Sequence, residues 1–399
     1  MGNDRNLGDK MKSVVLRAPM LTQSGYGVHS RQVARWLIEK HESKSIKLFC
    51  QCVNWGSTPW KLNQDDENGL IGKVMECSRP APAQPDISFQ IQLPNEWDIN
   101  LAKFNVGITA GVETDICNPN WIDAINKMDL VIVPSKFTKE TLERSGNVKT
   151  KIEVIPESFI DEVEDDNLEE YFDFKTDFNY LIFGQLTSNN PEDDRKNIFA
   201  TVKLLCDMFK DDKDVGLVLK TNGGRGTKID RLNLNKQITG LIGNIRSGPY
   251  PKVYLLHGDL SPTEVTSLYK HKNVKALVSL TRGEGYGLPL LEASACELPV
   301  IATNWSGHLD FLNQEKDGFM KVKYDLKNVS DSRVDNNIFI KGAKWAQPQE
   351  KSAREAISSL RKYPSIYEKR AKSLARKIKD KYSFTQVKKI YDDVCGEIL

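Results

Sequence analysis

No apolar run in the chain is long enough to span a bilayer, which removes the membrane-spanning helical proteins. The first residues, Met1 to Lys12, are polar and charged with no apolar core, so no secretory signal is expected. Cysteine is sparse: there are seven, an odd number, and they are scattered. Cys50 and Cys52 form the only close pair, on one face if the segment is a strand, and no second cluster accompanies them. Neither a disulfide framework nor a metal knuckle is expected, and a reduced, cytoplasmic setting fits. Excess charge is lacking as well. A formal net charge of +2 argues neither for nor against an acidic partner taken as a whole. What remains is an ordinary globular composition over 399 residues, longer than one core usually supports, so two domains are expected.

The most informative stretch is Gly283-Glu284-Gly285-Tyr286-Gly287-Leu288-Pro289-Leu290-Leu291-Glu292. The apolar and β-branched run from Val274 to Leu280 before it reads as a buried strand. A loop with three glycines follows, and Pro289 then opens a helix where its missing N–H costs nothing. A strand, a glycine loop and a helix N-terminus together present backbone N–H groups and partial positive charge to an anion. Glu284 and Glu292 flank this feature. A carboxylate repels phosphate but accepts hydrogen bonds from hydroxyl groups. A diphosphate joined to a polyol, which is a nucleotide sugar, answers both halves of the pattern.

The same stretch resembles the E-x7-E motif of glycosyltransferase family 4, whose enzymes have the GT-B fold. The likeness continues through Ala293-Ser294-Ala295-Cys296-Glu297-Leu298-Pro299-Val300-Ile301-Ala302-Thr303, with Glu297 where the family prefers glycine. Arg195-Lys196 resembles the family's pair of cations that reaches the donor diphosphate, while Gln185 stands where the family often has arginine. Physically, two cations beside a strand's carboxyl end balance a pyrophosphate without a metal. The Asp193-Asp194 pair sits beside Arg195, no metal site is evident, and metal independence is expected. Many members carry a sugar-contacting histidine after the strand read here at Phe104 to Thr109. This chain has none there, and Glu113 or Asp115 is the nearest polar substitute. His257 falls where the resemblance puts the nucleobase, although a satisfied core histidine is the plainer reading.

The rest of the chain alternates strand and helix. Ser13 to Ala18 reads as the first strand, followed by a loop carrying Gly25 and Gly27 and a helix from about His29 to Lys40. The third glycine of a dinucleotide fingerprint is missing. The resemblance implies that this loop faces the donor phosphates. Trp55, Trp60 and Trp97 fall in connecting loops, as packing or as an acceptor platform. Further strands are read at 46–53, 86–93, 129–134, 152–155, 179–183, 215–220, 253–256 and 300–303. Helices are read at 136–145, capped by Ser135, at 198–209, and from Ser261 to Lys270 with Glu264 completing a capping box. Asp161 to Asp173 is acidic and reads as an interdomain linker. Helices fill the chain from about Gln347. Eleven Lys or Arg fall between Arg361 and Lys389 against two acids, Glu368 and Asp380, a face that could meet a polyanion or a membrane surface or simply be solvated.

The architecture expected is α/β: two Rossmann-like, doubly wound parallel-sheet domains facing across a cleft, as the GT-B resemblance implies. Residues 1–158 are expected to form the acceptor-side domain, 159–383 the donor domain, and 384–399 a helix packing back on the first. The implied activity is retaining transfer of a hexose from a UDP- or GDP-sugar, with no other cofactor, to an unidentified acceptor hydroxyl. The acceptor could be on a lipid, glycan, protein or modified DNA base. Glu284 and Glu113 are the catalytic candidates. Gly25, Gly27, Arg195, Lys196, Gly285, Tyr286, Gly287, Leu288 and Glu292 are the donor-binding ones. A nucleotide-sugar epimerase or phosphorylase on the same fold, and a non-catalytic sugar- or nucleic-acid-binding protein, remain open.

Overall fold

The computed structural model describes residues 11–160, 171–188, 190–246 and 248–399. The first half alternates β1 (Lys12–Ala18), α1 (Gly25–Glu42), β2 (Ile46–Cys52), α2 (Leu70–Cys77), β3 (Ile87–Ile91), β4 (Phe104–Ile108), α3 (Pro119–Ile125), β5 (Leu130–Val133), α4 (Lys136–Ser145) and β6 (Ile152–Val154). The second restarts with β7 (Phe178–Phe183), α5 (Ile198–Met208), β8 (Val215–Lys220), α6 (Lys228–Ile245), β9 (Lys252–Leu256), α7 (Pro262–Lys270), β10 (Val274–Ser279), α8 (Leu288–Ala295), β11 (Val300–Thr303), α9 (Leu309–Leu312) and β12 (Met320–Val322). It closes with β13 (Tyr324–Asn328), β14 (Lys344–Pro348), α10 (Glu350–Lys362), α11 (Pro364–Tyr382) and α12 (Phe384–Cys395).

Each half builds one six-stranded parallel sheet, in the orders β2-β1-β3-β4-β5-β6 and β12-β11-β10-β7-β8-β9. The central strands are apolar along their length because helices cover both faces, as β5 and β8, buried at every residue, illustrate. This is the α/β architecture of two doubly wound sheets that the alternation implied. Among the described residues no helix is long and apolar enough to cross a membrane.

Several elements differ from the sequence reading. α1 begins at Gly25, not His29, because Ser24 caps it by accepting from the Gly27 N–H at 2.9 Å. Gly25 and Gly27 therefore belong to a helical first turn and not to a loop. α2, α3 and α6 were not foreseen, although Asn118 before Pro119 and the Thr227/Asp230 capping box mark the last two. The acidic segment at 161–173 lies, through residue 170, outside the described residues.

Two passages tie the halves together. α12 places Val387, Tyr391 and Cys395 in the core of the first sheet, and the Trp36 indole there donates to Asp392 at 2.9 Å. The excursion between the antiparallel strands β13 and β14 also crosses over. It packs Val329, Phe339, Ala343 and Trp345 against Trp97, Trp121 and Ile125 of the first half. Along α11, Lys369, Lys372, Arg376 and Lys377 are exposed and Lys379 lies 3.9 Å from Glu297, while Arg361 at the end of α10 lies 3.4 Å from Asp212.

Candidate active site

Taken from β9, the second sheet runs β9-β8-β7-β10-β11-β12, and its winding reverses between β7 and β10. Doubly wound sheets bind ligands in the crevice outside the carboxyl ends of the strands at such a reversal. The loop after β7 brings Arg195 and Lys196 to this point, and the loop after β10 brings residues 283–287.

The first loop is held by its own polar groups. Asp194 accepts from the Ile198 N–H at 2.7 Å and from the Thr187 hydroxyl at 2.8 Å, and Asn197 takes a left-handed conformation (φ 55°) that starts α5. Asp193 accepts from the Ser332 hydroxyl at 2.9 Å. Both aspartates are thus occupied by protein donors, and Arg195 and Lys196 point the other way. The Arg195 guanidinium donates to the Gly283 carbonyl at 2.7 Å and pairs with Glu113 at 3.1 Å. The Lys196 ammonium reaches both carboxylate oxygens of Glu284, at 2.7 and 2.6 Å. Burial pushes the Glu284 carboxyl up, but Lys196 and Arg195 outweigh it and hold it at about 2. Burial also lowers the Lys196 ammonium from its ordinary value, against the pull of Glu284. Four charged groups from three segments thus cancel one another.

Beside this network stands the N-terminus of α8. Gly287 carries φ +103°, a left-handed turn that suits glycine and aims the following amides outward. Among the described residues, the N–H groups of Gly285, Tyr286, Gly287 and Leu288 have no acceptor in the protein. Such a turn is an anion cradle. The loop also touches the first half closely. A side chain at Gly285 would put its Cβ 2.4 Å from the Ala110 carbonyl oxygen, and Ser135 donates to the Gly285 carbonyl at 2.6 Å. Across this contact, the Ala110 N–H donates to the Tyr26 hydroxyl at 3.0 Å in the first turn of α1, where the Gly25 and Tyr26 N–H groups likewise have no acceptor. The two glycine-bearing helix starts therefore lie on either side of one closed cleft.

Glu292 sits about one turn into α8 and accepts from the Tyr269 hydroxyl at 3.3 Å. Burial raises its carboxyl to about 7, against the Tyr269 hydrogen bond. The Tyr269 ring stacks on Phe183, at the end of β7, with centroids 5.8 Å apart.

The structure brings together Glu113, Arg195, Lys196 and Glu284, with Gly285, Gly287 and Leu288 in the loop and helix start that carry Glu284, Glu292 one turn further along α8, and Gly25 at the start of α1, whereas the Gly27 N–H is already given to the Ser24 hydroxyl. Tyr286 contributes only its backbone, because its ring is buried and its hydroxyl donates to the Glu157 carbonyl at 2.7 Å. Asp115, the alternative to Glu113, is engaged elsewhere: its carboxylate accepts from the Lys344 N–H at 2.6 Å. His257 accepts from the Gly223 N–H at 3.3 Å and steadies the loop after β8. Trp97 packs under Gly107 in the first core, and Trp55 stacks on Tyr26 at 3.9 Å. The residues missed were Tyr269, whose only signal is an aromatic near the end of α7, and Glu157, which the sequence does not mark.

Residues 250–333 match the family described as Glycosyl transferases group 1. No curated protein matches the chain. Among solved structures, the sucrose-phosphate synthase of Thermosynechococcus elongatus superposes over 98% of this chain and 99% of its own, with a TM-score of 0.61 at 13% identity. A glycosyltransferase from Rickettsia africae gives 0.61 at 14% identity over 98% and 99% of the two chains. An E. coli trehalose-6-phosphate protein bound with UDP-2-fluoro glucose gives 0.58 at 10% identity over 97% and 99%. The chain therefore has the two-domain GT-B fold of these proteins, and its residues 250–333 carry the Glycosyl transferases group 1 signature.

Proposed function

We propose that the protein is a glycosyltransferase that moves a hexose from a nucleotide sugar to an acceptor hydroxyl with retention at the anomeric carbon. The observation that carries this reading is the row of four unpartnered N–H groups at residues 285–288 beside Arg195 and Lys196, at the reversal point of the second sheet. The likeness to a structure bound with UDP-2-fluoro glucose supports it.

The division of labour follows from the charges. The donor diphosphate takes the free N–H groups and draws Arg195 and Lys196 away from Glu113 and Glu284. As the bond from the anomeric carbon to the diphosphate oxygen breaks, negative charge grows on that oxygen, where these donors are already aimed. The acceptor oxygen forms the new bond to the anomeric carbon, and its proton passes to the departing diphosphate, so no protein nucleophile is required. Glu284, released from Lys196, accepts from a sugar hydroxyl near the anomeric carbon. Glu292 accepts from the ribose hydroxyls, and Glu113 is the carboxylate nearest on the acceptor side. Two cations and six amides neutralise the diphosphate, so we assign the reaction no metal. Residues 1–158 supply the acceptor side, 159–383 the donor side, and 384–399 the return helix.

A thermal-shift panel of UDP, GDP, ADP and TDP and their sugar conjugates, in EDTA and again with manganese, tests this. One nucleotide family should stabilise the protein, by ~2.7 kcal/mol at a hundredfold excess over its dissociation constant. No shift with any nucleotide would overturn the reading, and a shift seen only with manganese would overturn metal independence.

A further inference from the structure

Where the chain crosses between its two sheets, several segments converge on one buried carboxyl. Residues 155–160 leave the first sheet after β6, and the Phe159 N–H donates to the Tyr382 carbonyl at 3.3 Å, where α11 turns into α12. Gln32 of α1 clamps the same passage through the backbone of Ser158, donating at 2.8 Å and accepting at 2.9 Å. Tyr286, in the loop before α8, donates to the Glu157 carbonyl at 2.7 Å. Glu157 is 4% exposed, enclosed by parts of both halves. One of its carboxyl oxygens lies 3.9 Å from His29 Nδ1, and the other has no hydrogen-bond partner. His29, 2% exposed, has its Nε2 3.3 Å from the Tyr391 hydroxyl of α12.

Among the described residues, the titratable groups facing Glu157 are Tyr26 and His29 from α1, Tyr286 and Glu292 from the α8 side, and Tyr391 from α12. None is a lysine or arginine. Burial, with the Glu292 carboxylate adding to it, raises the Glu157 carboxyl to about 8, and burial lowers His29 to about 4. At neutral pH both groups are uncharged and the proton rests on Glu157. A neutral carboxyl tolerates this enclosure, whereas an anion without a cation does not.

We propose that Glu157 is a positioning residue for the nucleotide-sugar cleft: as a neutral acid it keeps the two halves closed on each other, and as an anion it drives them apart. Closure is what brings the α1 and α8 amides onto one ligand. Separation would lift Tyr286 and Glu292 from α1 and give the Glu157 carboxylate the water that enclosure denies it. Nucleotide affinity then follows the Glu157 proton. The affinity arm of this inference rests on the function proposed above; the closure arm does not.

The test compares wild type with Glu157→Gln, which keeps the shape and stays neutral. Small-angle scattering of the ligand-free protein between pH 7 and 9.5 should show the wild-type radius of gyration growing above about pH 8, and that of the Gln variant unchanged. Titration calorimetry with UDP and GDP should show wild-type affinity falling about fivefold or more over pH 7.5–9.5, within the limit of about tenfold per pH unit for one linked proton. Glu157→Gln should lack that fall. A constant wild-type radius of gyration, or equal pH dependences in the two proteins, would overturn the proposal. If UDP, GDP, ADP and TDP all fail to bind at any pH, the nucleotide-sugar reading fails, and scattering still decides the hinge. If the variant does not fold, the wild-type scattering series alone decides it.

Discussion

Replacing Glu292 by glutamine should make the ligand-free protein more stable and the nucleotide complex weaker. Burial raises the Glu292 carboxyl from an ordinary value near 4.5 to about 7. Between those values the folded chain keeps a proton that the unfolded chain has released, so wild-type stability falls as pH rises from about 4.5 to about 7. The full rise is equivalent to about 3 kcal/mol at 1.36 kcal/mol per unit. Glu292 keeps some contact with the cleft, so water screens part of this, and about 1–2 kcal/mol is expected. Glutamine does not titrate. At pH 7 its Tm should exceed that of wild type by about 2–5 °C, with the two converging near pH 4.5. In the proposed function the same change removes a charged acceptor from the ribose hydroxyls, a loss of ~1–3 kcal/mol, or about 5- to 150-fold in dissociation constant. Differential scanning fluorimetry with and without the preferred nucleotide, from pH 4.5 to 8, reads both effects. A Glu292→Gln variant less stable than wild type at pH 7 would refute the buried-carboxylate argument, and one with unchanged nucleotide affinity would refute the contact with ribose.

Lys196→Met should destabilise the fold by about 3–5 kcal/mol, because it strips the buried Glu284 carboxylate of its two shortest contacts, and adding Glu284→Gln should restore most of the loss in urea unfolding. The pH profile carries the matching sign. Glu284 is held at about 2, so its contribution is present above its ordinary value near 4.5 and is lost as pH falls from there towards 2, a limb that Glu284→Gln should flatten. Gly285→Ala would set a Cβ 2.4 Å from the Ala110 carbonyl oxygen, so nucleotide affinity should drop about tenfold or more, equivalent to ~1.4 kcal/mol or above, with the far-ultraviolet circular dichroism unchanged. Retained affinity in that variant would show that the close approach of the two halves is dispensable.

Most elements and the candidate-site loop were legible for a common reason: their determinants are local. Val274 to Leu280, the three glycines and Pro289 specify a buried strand, a left-handed turn and a helix start within sixteen residues, and the Ser261/Glu264 capping box marks the start of α7. Beyond α2, α3 and α6, what could not be read depends on distant pieces meeting. Glu157 sits in an unremarkable Ile-Pro-Glu-Ser run, and only the convergence of α1, α8 and α12 buries it. The crossing excursion was missed because Val329, Phe339 and Trp345 lie outside any periodic run, and their apolar partners are two hundred residues earlier. The start of α1 was misplaced because two glycines suggested a loop, whereas Ser24 supplies a cap and Gly27 lets the Thr22 carbonyl pass, at 2.0 Å from a would-be Cβ. The pairing of Arg195 with Glu113 spans eighty-two positions, and no spacing in the sequence announces it.

In the function proposed above, that pairing also explains why a site meant for a strongly anionic ligand is neutral at rest. Arg195 and Lys196 lie mostly out of water, and leaving two such cations unpartnered would cost several kcal/mol each. Glu113 and Glu284 remove that cost, and they set a threshold. An arriving anion has to offer the cations as much as two carboxylates do. A diphosphate that also fills the open N–H groups at residues 285–288 can do so, whereas a single weakly held phosphate has to compete with carboxylates tethered in place. In the proposed function, when the diphosphate wins, Glu284 loses its cation as a sugar hydroxyl is delivered beside it, and becomes a free acceptor for that hydroxyl. The exchange couples recognition of the two ends of the donor, so a free sugar without its nucleotide should find Glu284 still occupied by Lys196.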